Sequence, residues 1–410
     1  MLPVKTMLAA AASLALSALS APAETTVIRF GRLWDGSRTV ADASVVVEND
    51  RIVRVGSGDA AVPGGAKVID LRRYTAIPGL IDLHTHITYY WDRQPGTRPR
   101  GGPRRLPAVT VFLAQANAKR TLETGVTTAR DLGAANDTDL AMRELISLNA
   151  MAGPRLFVAG QGFSRRQGAE TDLEALRRGV DDRVKAGVDW IKVYGSRGSF
   201  ESVDTTQTFT FEEMKAIVDA AHAQKKKVAI HSYGPSGVRD AVAAGADSIE
   251  HGIDIDDATL AEMAKRGVVW VPTIDHNRYY VDAKDEFGFP PETIPPLQEY
   301  IRKNFEAAKR AVKAGVKLGM GSDAVYSMFG QNTRELAWFV KAGLTPAQAL
   351  ATATTIAAAL LGQEQRLGRV APGYAADLVA IDGDPLEDID AVINGVRWVM
   401  KDGRVVVDQR

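Results

Sequence analysis

Between Ile77 and Asp323 the chain repeats one pattern: a short apolar run, then a stretch whose apolar positions fall three and four residues apart. The runs are IPGLIDLH, GVTTARD, RLFVAG, VDWIKVY, KVAIHS, DSIEHG, VVWVPT and VKLGMGSD. Apolar runs of this length predict strands covered on both faces, and the period between them predicts amphipathic helices. Eight strand–helix units over about 290 residues match the count and length of a TIM (β/α)8 barrel. Helix starts agree with this phasing: Thr210 with Glu213 forms a capping box, and Thr345-Pro346 is an N-cap followed by proline. From Thr26 to Ile77, runs such as SVVVEN and RIVRVG, separated by Asn-Asp and Gly turns, predict antiparallel strands. The C-terminal DLVAID, RWVMKDG and RVVVD resume that style. The pattern therefore predicts a small β-sandwich domain made by both chain ends, residues 24–77 and 365–410, around a barrel domain at 78–364.

The first 23 residues read differently. Lys5 supplies a positive start, MLAAAASLALSALS an apolar core, and Ala21-Pro22-Ala23 a cleavage site, so a signal peptide is expected, cut after Ala23. The mature chain is expected to be exported, periplasmic or secreted, without a membrane span; a retained N-terminal anchor is the alternative.

Composition narrows the chemistry. Of 410 residues, 45% are hydrophobic, enough for a large core. Lys plus Arg and Asp plus Glu both total 50, which gives no overall attraction to nucleic acid or membrane and leaves any charge signal to be local. With no cysteine, disulfides, thiolate metal sites and thiol nucleophiles are excluded, and the six histidines and the carboxylates must carry the chemistry.

Their positions are informative. His84 and His86 end the first barrel strand one residue apart, so both side chains face the same way at the strand's C-terminal end, where such barrels place their active sites. Two imidazoles so spaced can converge on one metal ion. His231 ends the fifth strand, His251 the sixth and Asp323 the eighth, all on the same rim. Lys192 lies on that rim inside the apolar WIKVY, where an ammonium is costly to bury. Either a carboxylate partner or conversion to a carbamate would compensate it, and desolvation beside cations favours the neutral amine that carbamylation requires.

The HTH, IKVY, HSYG, EHG and GSDA blocks resemble the metal-dependent amidohydrolase superfamily, most closely the branch holding imidazolonepropionase-like proteins, exported Xaa-Pro dipeptidases and ochratoxinase. The resemblance spans almost the whole mature chain. It implies two divalent metal ions, zinc foremost: His84, His86 and Asp323 hold one, His231 and His251 the other, and carbamylated Lys192 bridges them. Two such ions activate a shared hydroxide and polarise a carbonyl, and the site's charges leave about one positive charge for a developing oxyanion. Asp323 is expected to move the proton to the departing amine, with Lys192 and Tyr233 completing the catalytic set, the tyrosine hydroxyl facing the oxyanion.

Substrate contacts are expected from His276 after the seventh strand and from Arg165 and Arg166 after the third. They belong to a cationic collar with Arg93, Arg98, Arg100, Arg104, Arg105 and Arg197, suited to a substrate carboxylate. The insert EFGFPPETIPPLQEY could supply aromatic lid contacts. One block departs from the exported dipeptidases: GQGFSRRQGAE lacks the histidine they carry there, which puts proline specificity in doubt. The expected function is hydrolysis of an amide or peptide bond to a C-terminal amino acid in a small molecule with a free carboxylate, ochratoxin A among the candidates, by a homo-oligomeric enzyme. The alternatives are a mononuclear deaminase or cyclic-amide hydrolase of the same superfamily, and a non-catalytic exported binding protein.

Overall fold

The structure, a computed structural model, describes residues 25–58, 62–100, 105–165, 170–199 and 202–410. The signal peptide expected at residues 1–23, together with Arg104 and Arg166, lies outside the described residues. Among those described, no helix is long and apolar enough to cross a membrane.

Seven strands come from the chain ends: β1 (Thr25–Trp34), β2 (Thr39–Glu48), β3 (Arg51–Ser57), β4 (Lys67–Pro78), β12 (Leu378–Ile381), β13 (Val396–Lys401) and β14 (Arg404–Asp408). They form one mixed sheet in the order β14-β13-β12-β4-β1-β2-β3. Asn49, at the two-residue turn between β2 and β3, takes the left-handed conformation that asparagine tolerates. Where only antiparallel pairs were expected, β4 returns beside β1 in parallel, because the β2–β3 hairpin occupies β1's other edge. β12 then adds antiparallel to β4's free edge, so the C-terminal strands complete what the N-terminal ones begin. Their shared core includes Ile28, Phe30, Val45, Leu71, Leu378 and Trp398.

The central chain forms two parallel sheets. One is β5 (Leu80–Thr85), β6 (Val126–Asp131) and β7 (Arg155–Val158); the other is β8 (Trp190–Tyr194), β9 (Lys227–His231), β10 (Ser248–Glu250) and β11 (Val269–Val271). At one seam Phe163 bridges in parallel to Val193 of β8. At the other, residues 317–324 bond to β11 through Gly319 N–H to Trp270 O (2.9 Å) and to β5 through Asp323 N–H to His84 O (2.6 Å). This is the expected eighth strand, present only as isolated bridges at Leu318 and Ala324. Its glycines explain why. A Cβ on Gly321 would lie 2.9 Å from the His84 Cβ, so the segment presses against β5 too closely for a regular side-chain pleat.

Side chains alternate across these strands. In β8, Ile191 and Val193 pack with the helices, while Trp190 joins the cluster inside the strands; in β9, Val228 and Ile230 point outward and Ala229 inward. Lys192 and His231 share parity with Trp190 and Ala229, so they too face the interior. The capping box at Thr210 and Glu213 opens the helix Phe211–Ala223, and the one at Thr345 and Gln348 opens Pro346–Thr352.

Candidate metal centre and active site

The C-terminal ends of these strands meet around Asp323. His86 Nε2 lies 3.2 Å and His84 Nε2 3.5 Å from its Oδ1 atom. His276 Nε2 lies 3.1 Å from its Oδ2, and His251 Nδ1 4.0 Å. The ligand atoms of His84, His86 and Asp323 all lie within 4.8 Å of one another. His251 is continuous with this group, its ring centroid 5.2 Å from that of His84 and 4.4 Å from that of His231. Both His251 and Asp323 adopt left-handed backbone at the strand ends, an arrangement that costs of order 1–3 kcal/mol per residue and is typical of active sites.

Each histidine has one ring nitrogen engaged. His84 Nδ1 donates to Glu250 Oε2 (2.8 Å), His86 Nδ1 to Gly133 O (3.0 Å) and His231 Nε2 to Gly198 O (2.8 Å), while His251 Nδ1 bonds Thr273 Oγ1 (2.7 Å). Such partners fix the tautomer and leave the other nitrogen's lone pair for a metal. Burial, followed by the Lys192 charge, drives the His84 imidazole down to about 4 and that of His231 to about 3, so both are neutral at physiological pH. His251 also falls well below the ordinary range, through burial and the neighbouring His231. His86 moves upward: burial opposes protonation, and the Asp323 carboxylate outweighs it. Burial would likewise raise Asp323, but His276, His84 and His86 together hold its carboxyl well below the usual range.

Three enclosed polar atoms of the site, His84 Nε2, Lys192 Nζ and His276 Nδ1, have no hydrogen-bond partner among the described residues. Orphaned donors and acceptors of this kind call for a missing ligand, and divalent ions fit the donor set of four imidazoles and a carboxylate. Lys192 is fully buried, and burial pulls its amine down to about 8. Among the described residues no carboxylate hydrogen-bonds to it, and Glu250 and Asp323 act on it only through their charge.

A cavity of about 240 Å³ opens over the cluster. Lys192, His231, Tyr233, His276 and Asp323 line it, with Tyr89, Tyr194 and Tyr280 as aromatic walls. Tyr233 stacks on His231 at 4.9 Å, and burial raises its hydroxyl so that it stays a proton donor. His276 begins the helix Ile274–Asp282, packed edge-on against Tyr280. Arg197 lines the cavity, whereas Arg165 does not. Arg165 is bound to Glu213, the capping residue of Phe211–Ala223, so its guanidinium serves the scaffold. Arg105 pairs with Asp92 at 2.9 Å, and Arg98 reaches the Phe287 carbonyl.

Sequence reasoning passed over the layer beneath. Glu250 is fully buried between His84 and Arg130, whose Nη2 donates to Glu250 Oε1 at 2.8 Å. Arg130 also donates to Leu83 O and Ser248 Oγ and stacks over Trp190 at 4.4 Å. Asp82 accepts from the His84 and Ser322 amides, tying β5 to the segment that carries Asp323. Glu335 accepts the Ile274 and Asp275 amides at 2.9 and 2.8 Å, fixing the start of the helix that bears His276. The signal was available: Asp82, Arg130 and Glu250 are charged residues inside apolar runs, the same anomaly that singles out Lys192.

Residues 75–406 match the amidohydrolase family, and the chain belongs to it: it is a hydrolase of a family that generally employs divalent metals. Among curated relatives, ochratoxinase of Aspergillus niger is 27% identical over 414 aligned residues, covering 90% of this chain and 83% of that protein. Among solved structures, a Xaa-Pro dipeptidase with methionine bound in its active site is 30% identical, with a TM-score of 0.84 over 93% of this chain and 99% of the other. A prolidase complexed with N-methylphosphonate-L-proline is 28% identical, with a TM-score of 0.83 over 94% and 100%.

Proposed function

We propose that this chain is a binuclear metal-dependent amidohydrolase that cleaves the amide or peptide bond to a C-terminal amino acid, on the rim of a closed (β/α)8 barrel whose seams lie at Phe163 and at residues 317–324. The observation that carries the reading is the convergence of His84, His86 and Asp323 beside two enclosed, unpartnered atoms, His84 Nε2 and Lys192 Nζ. His84, His86 and Asp323 would hold one ion and His231 and His251 the second, with Lys192, as its carbamate, supplying an anionic oxygen ligand. Zinc suits the imidazole-rich set. When bound, the ions supply Lewis-acid polarisation of the scissile carbonyl and a nucleophile drawn from water at neutral pH.

The chain's own groups do the rest. Asp323, poised between His86 and His276, carries a proton toward the departing amine. Tyr233, kept protonated by burial, donates to the oxyanion. Arg197 holds the substrate carboxylate at the cavity wall, and His276 contacts the acyl side with Tyr280 behind it. Aromatic walls around so small a cavity suit dipeptides and N-acyl amino acids with an aromatic group, ochratoxin A included. The enzyme is proposed to be exported and homo-oligomeric.

Metal analysis and a substrate panel test this reading together. Two divalent ions per chain are expected, with amine release from N-acyl amino acids or dipeptides that falls at least about 100-fold in Lys192→Ala. One ion per chain with full activity in Lys192→Ala would instead establish the mononuclear alternative.

A further inference from the structure

A second cavity, of about 410 Å³, lies at the opposite end of the strands from the metal cluster. It opens between the first residues of β7, the end of the helix Thr138–Ser147 and the β13–β14 hairpin, so both modules contribute to it. Its cations are Arg143, Arg155, Arg366, Lys401 and Arg404; its acids are Asp50 and Asp402. In a chain whose formal charges cancel, this is a concentrated positive excess.

Internal pairing does not remove it. Asp402 faces three cations at once: Arg155, Lys401 at 3.1 Å and Arg366 at 4.0 Å. Arg155 is further matched by Asp377 at 2.9 Å and Arg143 by Asp189 at 2.6 Å, while Asp50 is taken by Arg51 at 3.4 Å. After these pairs, Arg366 has only its 4.0 Å share of Asp402, and Arg404 has no carboxylate partner among the described residues. The helix end at Ser147 offers only about half a negative charge, too little to cancel two cations. Two of the cations are held in place by burial, the Arg155 side chain being 14% and that of Lys401 11% exposed. Arg366 Nε is enclosed and has no hydrogen-bond partner. Unsatisfied buried donors of this kind are rare in folded proteins and are explained by a ligand or water that completes them.

We propose that this cleft binds a small phosphate-bearing anion, clamped between barrel and sheet. Several guanidinium forks and an ammonium approaching from different elements suit a tetrahedral dianion, whose oxygens can serve more than one arginine; a single carboxylate engages one fork. Because its donors come from both modules, the bound anion ties the β13–β14 hairpin to β7.

Thermal unfolding and calorimetry of the intact, metal-loaded protein with inorganic pyrophosphate, at constant ionic strength, test the site. The same anion can enter the metal cavity, so the quantity read is the difference between wild type and an Arg366→Gln/Arg404→Gln double variant, neither position of which touches the catalytic cluster. Pyrophosphate is expected to raise the wild-type Tm at millimolar concentration. The double variant should bind at least about tenfold more weakly at this site while its hydrolytic activity stays unchanged. An Arg404→Lys variant, which keeps the charge, should fall between them. Equal stabilisation of wild type and double variant, or an equal effect of chloride at matched ionic strength, would overturn the proposal. Citrate matching pyrophosphate with the same variant dependence would overturn its phosphate selectivity.

Discussion

Glu250 joins the His84 imidazole to the Arg130 guanidinium, and all three side chains are buried. Burial alone would raise its carboxyl, but Arg130, His84 and Lys192 bring it down to about 2. Removing one partner from such a buried pair leaves the other uncompensated, at a cost of about 3–5 kcal/mol. Glu250→Gln is therefore expected to lower stability by that order in denaturant titration. It should also weaken metal retention about 10- to 100-fold in a chelator competition, because the His84 ring loses its charged anchor. Stability falling with metal affinity unchanged would confine Glu250 to the scaffold. At this scale the sequence was partly legible. His84, His86, Lys192, His231, His251 and Asp323 stand out because strand ends on one rim must converge. Glu250 and Arg130 were not read, because nothing in a linear pattern says that two buried charges ten dozen residues apart face each other. Arg165 shows the converse: a loop arginine beside a rim reads as free in the sequence, whereas the fold brings Glu213 to it from the next helix.

The helix Ile274–Asp282 is placed by a side chain from outside it. Glu335 caps its first amides, and burial raises the Glu335 carboxyl to about 8. A carboxyl raised in the fold stabilises it fully below its unfolded value near 4.5, and this contribution is lost as pH climbs through 8. Glu335→Gln stays neutral throughout. Its Tm relative to wild type is thus expected to be higher at pH 8 than at pH 5, and a pH-independent difference would show that Glu335 is not protonated in the fold. The capping box at Thr210 is a simpler case: Thr210→Ala should cost about 1 kcal/mol in chemical unfolding, with KM little changed. Element boundaries followed from periodicity wherever strands are regular. The eighth strand escaped that logic because KLGMGSD gives up pleated pairing for close contact with His84, a constraint set by tertiary packing.

Arg155 stands where the two modules touch, its guanidinium shared by Thr128 of β6, Asp377 and Asp402. It is largely buried, and although burial disfavours its charge, Asp377 and Asp402 raise it further. Arg155→Met is expected to cost about 3–5 kcal/mol and to split one cooperative melting transition in calorimetry into two; a single transition at the wild-type Tm would show that the junction does not couple the modules. That strands from both ends share one sheet was legible from their common style. The parallel pairing of β1 with β4 was not, since an alternating pattern does not say which edge and direction its partner chooses.

That choice has a consequence for biosynthesis. The edge of β4 that receives β12 is complete once Pro78 has been made, yet its partner begins at Leu378. At ordinary elongation rates of roughly 5–20 residues per second, the ribosome takes on the order of 15–60 s to cover that interval. Throughout it, a nascent chain has an open, hydrogen-bond-hungry edge beside a half-built core, and a premature stop anywhere before β12 leaves it open for good.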